Sequence, residues 1–84
     1  MNPEKIAITV IMMALKDFDN LELASLNNAI TGFGKVDPKN HSYQKALDNG
    51  FINSDGTLSS DFREYLPKAL TIEINSRVDN GTFN

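Results

Sequence analysis

Cysteine and tryptophan are both absent from this 84-residue sequence, and His41 is its only histidine. Without cysteine no disulfide can stabilise so short a chain, and a thiol-free protein suits a reducing compartment, so we expect a cytoplasmic location. A zinc site needs several imidazoles or thiolates, and one histidine is too few. We therefore expect neither a metal nor a cofactor, and stability has to come from packing or from association.

The sequence also lacks a large excess or a cluster of charges of one sign. Eight basic and eleven acidic residues give a net charge of −3, and no three lysines or arginines are adjacent. Nucleic-acid modules usually carry a clustered basic face, because phosphate contacts dominate their affinity. The charge pattern therefore disfavours nucleic acid as the partner.

Long hydrophobic runs are missing. The longest run covers residues 6–15, which is too short to span a bilayer. It continues into Lys16 and Asp17 rather than into the small residues of a signal-peptide cleavage site. We expect this run to be a helix of a folded domain, with no membrane segment, although its β-branched residues would also permit a strand.

Catalytic motifs are lacking as well. No nucleophile and acid can be arranged around His41, which we expect to be a solvated surface residue. Residues 32–35 lack the spacing and the Ser/Thr of a phosphate-binding loop. Residues 53–56 mimic the middle of a calcium loop, but the alignment puts Phe51 and Phe62 at ligand positions. The sequence predicts that this protein is not an enzyme.

What the sequence does contain is helical periodicity with matching cap signals. Asn2 and Pro3 suit the start of one helix, and Asp19 with Glu22 forms a capping-box pattern for the next. Gly50 suits a helix stop. We predict an all-α fold, with residues 1–84 forming one small bundle of about four helices near 2–18, 20–33, 38–49 and 60–78.

Three details complete the predicted fold. Pro67 lies inside the last apolar pattern, so we expect that helix to bend or break there. Turn residues at 53–56 predict a tiny hairpin within residues 51–58. Residues 79–84 show no periodicity and are expected to fray. The predicted core is Ile8, Ile11, Leu15, Leu26, Ile30, Leu47, Leu66 and Leu70.

The first helix is apolar nearly all round and must be surrounded, either within the domain or at an interface. We expect it to be the most buried element. Its apolar surface nevertheless exceeds what so few helices can easily cover, which is typical of an interaction site. The predicted function is binding of a partner protein whose identity is open, with self-association as one form of it. The predicted surface consists of Ile6, Val10, Met12 and Met13.

DNA binding is the alternative. A helix, a loop, the polar helix 38–49 and a turn-containing hairpin follow one another in an order that resembles winged helix-turn-helix proteins. The resemblance implies a DNA-contacting face on that helix. Against it, the loop after Gly32 is long and the hairpin lacks lysine and arginine. The candidate DNA-contact residues are Lys39, Asn40, His41, Gln44 and Lys45.

Overall fold

The structure is a computed structural model that describes residues 2–83, and it confirms the all-α class. The sequence also places Met1 and Ile6 where a hydrophobic staple would hold the start of the first helix, but Met1 lies outside the described residues. Within residues 2–83 the chain forms the helices α1 (Pro3–Leu15), α2 (Asn20–Phe33), α3 (Tyr43–Asp48) and α4 (Tyr65–Asp79).

The first two helices begin where the cap signals predict. The Asn2 side chain accepts a hydrogen bond from the Glu4 backbone N–H at 2.9 Å, and Pro3 occupies the first helical position. Asp19 and Glu22 each accept the other's backbone N–H, at 2.7 and 2.8 Å, which completes the capping box. Helix α1 ends at Leu15 rather than at residue 18, because residues 16–18 turn and bury Phe18 in the core.

Helix α3 is much shorter than the predicted 38–49. The Asp37 carboxylate accepts the Lys39 backbone N–H at 2.8 Å, and the Asn40 amide oxygen accepts the Ser42 backbone N–H at 2.8 Å. Such local side-chain bonds offer the backbone an alternative to helix. Residues 38–42 therefore form turns, and the helix begins only at Tyr43.

Helix α4 begins at Tyr65, not near residue 60, so the predicted helix is broken two residues before Pro67 and does not bend at it. Pro67 is the third residue of the helix. Backbone N–H groups in the first turn have no acceptor within the helix, so a proline there removes no hydrogen bond. The proline thus marks the start of α4, and residues 60–64 before it form turns.

The small hairpin is present as an isolated antiparallel bridge between Ile52 and Leu58. A second bridge joins Lys35 to Thr57, so the segment after α2 lies beside the hairpin. Gly56 has a φ of 87°, and a Cβ atom there would lie 2.2 Å from the Val36 carbonyl oxygen. Only glycine fits this close approach without a shift of backbone.

The core centres on α4, which packs against both α1 and α2. Helix α4 buries Leu66, Ala69, Leu70 and Glu73, whereas α1 buries only Ile11 and Leu15. The prediction that the first helix is the most buried element is therefore wrong. Of the predicted core, five residues are buried and three are partly buried against it; the latter are Ile8, Ile30 and Leu47.

Residues 80–83, which follow α4, fold back onto the domain. The Thr82 backbone N–H donates to the Arg77 carbonyl oxygen at 2.9 Å, and the Asn20 amide donates to the Thr82 carbonyl oxygen. Phe83 packs against the core. Backbone bonds and one aromatic ring thus hold residues 80–83 against the domain, and Asn84 lies outside the described residues.

Candidate interaction surface

One face of α1 is buried and another is exposed to solvent. Ile11 is only 3% exposed, but Ile6, Val10 and Met13 are 44%, 58% and 69% exposed. These three exposed residues are spaced by four and then three positions, which places them on one side of a helix. With Thr9, which lies between them and is also exposed, they form a continuous apolar strip that we call the outer stripe.

The single polar group in the outer stripe is already satisfied. The Thr9 hydroxyl donates to the Lys5 carbonyl oxygen at 2.8 Å. Covering this residue would therefore leave no buried donor unpaired. Beside it, Lys5, Ile6, Thr9 and Val10 line a shallow groove of about 300 Å³. The stripe offers an apolar surface that a partner could cover at little polar cost.

Met12 does not belong to this surface in the way the sequence predicts. Its side chain is partly buried and packs against the core, because it lies on the flank of α1 that turns toward α4. Together with Ile8 and Ile72 it lines a second shallow depression between the two helices. Of the four residues predicted to form the surface, Ile6, Val10 and Met13 are exposed, whereas Met12 is partly buried beside them.

Ion pairs fix α1 to α4 at both ends. Near its start, Glu4 pairs with Lys68, whose pKa is raised by the hydrogen bond to that carboxylate. Just after its end, Lys16 Nζ lies 2.9 Å from Glu73 Oε1. The two pairs join α1 to α4 near both ends of α1.

Glu73 is the centre of a wider network. Arg77 Nε donates to Glu73 Oε2 at 2.9 Å, and the same guanidinium donates to the Leu15 carbonyl oxygen at 3.1 Å and to Asn20 Oδ1 at 2.9 Å. Burial by itself raises the pKa of Glu73, but the hydrogen bonds from Lys16 and Arg77 outweigh it and hold the pKa below its ordinary value. The network locks the end of α1 to the start of α2.

The predicted DNA-contact residues do not form one outward face. Asn40 Nδ2 donates to the Ser25 carbonyl oxygen at 3.1 Å, and Lys45 Nζ lies 2.8 Å from Glu22 Oε1 and 5.5 Å from the centre of the Phe18 ring. These two side chains therefore hold α3 and its preceding turn against the rest of the chain.

The remaining three residues of that set are exposed. Gln44 donates to Asp48 Oδ1 at 2.8 Å on α3, whereas Lys39 and His41 lie on the turn before it. Only six residues are helical here, and the cationic side chain on that helix, Lys45, is already paired with a carboxylate.

Sequence reasoning missed one surface feature. Phe33 continues the apolar spacing of Leu26 and Ile30 on α2, but it is 82% exposed, because α2 ends at Gly34 and no other part of residues 2–83 covers this side chain. It borders an open pocket of about 420 Å³ together with Asn28, Lys35 and Asp37. The closely spaced Gly32 and Gly34 were the signal that the helix ends here.

Two further properties bear on function. Among residues 2–83, no group of three or more histidine, aspartate or glutamate side chains could hold a metal ion. None of the helices in that same range is long and apolar enough to cross a membrane.

Comparison of the chain with protein-family models, with curated proteins and with solved structures gives no match.

Proposed function

We propose that this chain is a small non-catalytic domain that acts by binding a partner protein through the outer stripe of α1. One observation carries the proposal: the most apolar segment of the sequence turns Ile6, Val10 and Met13 outward, each more than two-fifths exposed. Contiguous exposed apolar surface on a small domain is typical of an interaction site. A cytoplasmic location is part of the proposal and rests on the absence of cysteine.

The surroundings of the stripe support this use. Helix α1 is anchored to α4 on its inner side by packing and by an ion pair at each end, so the outer stripe is presented on a rigid element. Rigid apolar surfaces bind with a smaller loss of conformational entropy than flexible ones. Met13 adds an unbranched side chain that adapts its shape to a partner.

DNA binding has less support. The predicted reading helix is only six residues long, and the ammonium of its Lys45 is engaged with Glu22 and Phe18. A net charge of −3 also leaves the phosphate contribution to affinity small.

The test is affinity capture from the source cell with the full chain as bait. Val10→Asp puts a charge in the outer stripe and should lose the retained protein. Phe33→Asp is the matched control, because it makes the same kind of change at an even more exposed apolar residue on another helix, and it should keep that protein. Equal retention by wild type and Val10→Asp would overturn the proposal, as would capture of nucleic acid or a small molecule with no protein.

A further inference from the structure

We infer that the outer stripe binds a second copy of this chain, with the two α1 helices antiparallel about a two-fold axis. This inference rests on the proposed function, because it names the partner for the same surface. The argument uses the charges at the two ends of the stripe, the arrangement of its apolar residues and the satisfied hydroxyl of Thr9.

Opposite charges flank the stripe. Lys5 lines the groove beside Ile6 and Val10 at one end. At the other end, Asp17 is exposed in the turn that follows α1, two residues after Leu15. Within the part of the chain that the structure describes, neither the Lys5 ammonium nor the Asp17 carboxylate forms an ion pair. One positive and one negative group are thus available for a partner.

Antiparallel pairing satisfies both groups twice. Lys5 and Asp17 are twelve positions apart and lie near opposite ends of α1, Lys5 in its first turn and Asp17 two residues after Leu15. A two-fold axis sets the Lys5 end of one copy against the Asp17 end of the other, and the symmetry repeats the contact at the opposite end. Parallel pairing would instead bring like charges together, which is unfavourable. The charge pattern therefore selects the antiparallel arrangement.

The apolar residues of the outer stripe also face one another across this two-fold axis. When the axis passes between Thr9 and Val10, Ile6 of one copy lies opposite Met13 of the other, and Thr9 lies opposite Val10. In this register Lys5 is nearer the centre than Asp17 by about 4–5 Å along the helix, at 1.5 Å per residue. An extended lysine side chain covers that difference. The Thr9 hydroxyl donates a hydrogen bond to the Lys5 carbonyl oxygen. The Thr9 methyl group can therefore pack at the centre of the interface without leaving the hydroxyl unpaired.

The size of the surface sets the expected strength. Stable interfaces bury about 800 Å² on each partner, and one face of a 13-residue helix offers less. The dimer should therefore be weak and exchange with monomer, with a dissociation constant between about 10 μM and about 1 mM.

Sedimentation equilibrium of the full chain, from about 10 μM to about 1 mM, tests the inference with a charge swap. The variants are Lys5→Glu, Asp17→Lys and the double exchange. Each single change suits the dipole of α1, since it puts an acid near the helix start or a base near its end, so the monomer should stay folded. Circular dichroism of each variant checks this.

We expect each single variant to weaken dimerisation about tenfold, because it replaces two attractive contacts by two repulsive ones, and the double exchange to return to within about threefold of wild type. Val10→Asp should be monomeric throughout the range, and Phe33→Asp should dimerise like wild type. A wild-type chain that stays monomeric, or a double exchange as weak as the singles, overturns the inference. If a monomeric wild type still captures a foreign protein in a Val10-dependent way, the proposed function stands while this inference fails.

Discussion

Helices α1 and α4 differ in a way that their sequences alone do not suggest. Helix α1 is far more apolar in composition, yet it buries only Ile11 and Leu15. Helix α4 contains Lys68, Glu73 and Arg77, yet it buries four residues, because it packs against both α1 and α2. Burial follows the position of an element in the fold, and part of the apolar surface of α1 stays exposed.

Helix α4 also accommodates a buried charged residue, Glu73, in the core. Glu73 is buried, but Lys16 and Arg77 compensate its carboxylate, and Arg77 also binds the backbone at the end of α1. A buried charge without such partners would be strongly destabilising. Polar residues on α4 therefore connect the helices, whereas the apolar residues of the outer stripe of α1 stay largely exposed.

The largest loss of stability should come from truncating a core side chain of α4. Leu70→Ala should lower the free energy of unfolding by about 2–5 kcal/mol, since Leu70 is fully buried and the substitution leaves a cavity. Ile11→Ala, on the inner face of α1, should fall in the same range. Urea unfolding followed by circular dichroism measures both. A cost below about 1 kcal/mol for Leu70→Ala would contradict the central position of α4.

The Glu73 network should give an intermediate, pH-dependent effect. Glu73→Gln should cost about 1–3 kcal/mol near neutral pH, because it removes charge-assisted hydrogen bonds. Since the folded-state pKa of Glu73 is lowered, its contribution is present above the unfolded-state pKa and is lost as the pH falls through the folded-state pKa.

Unfolding curves of wild type and Glu73→Gln between neutral and acidic pH test this sign. The difference in unfolding free energy should be largest at neutral pH and shrink in acid. A difference that stays constant down to low pH would show that the carboxylate charge contributes nothing to stability.

The smallest effect should come from the outer stripe. Val10→Ser should change the free energy of unfolding of the monomer by no more than about 0.5 kcal/mol, because Val10 is more than half exposed. Dilute protein, well below the expected dissociation constant, is needed for this measurement. If Val10→Ser lowered the free energy of unfolding as much as Ile11→Ala, the outer stripe of α1 would not be exposed.

The sequence predicts the starts of α1 and α2 because their caps are local: Asn2 and the Asp19/Glu22 pair act within one turn of the residues they cap. The predicted starts of α3 and α4 are wrong, because the signals there are less specific than these caps. Asn40 and Pro67 carry signals that fit either a helix or its boundary, and tertiary contacts such as that of Asn40 with Ser25 decide between them.

The outer stripe could be predicted only in part. Ile6, Val10 and Met13 follow from the apolar excess of α1, but Met12 is as apolar as Met13 and lies on the inner flank. Which flank is covered depends on where α4 docks, and the ion pairs of Glu4 and Lys16 with α4 fix that orientation. Periodicity cannot supply this in a helix that is apolar nearly all round.

Two of the three methionines, Met12 and Met13, provide the most direct test of the central claim, that the fold leaves the outer stripe exposed for a partner to cover. With methyl-labelled methionine and a soluble paramagnetic agent, the Met13 methyl signal should broaden far more than that of Met12 in dilute protein, as their exposures require. At concentrations above the dissociation constant, or with a captured partner, Met13 should become protected while Met12 stays unchanged. Equal protection of both methyl groups in dilute protein, or a Met13 signal that never gains protection, would contradict the account.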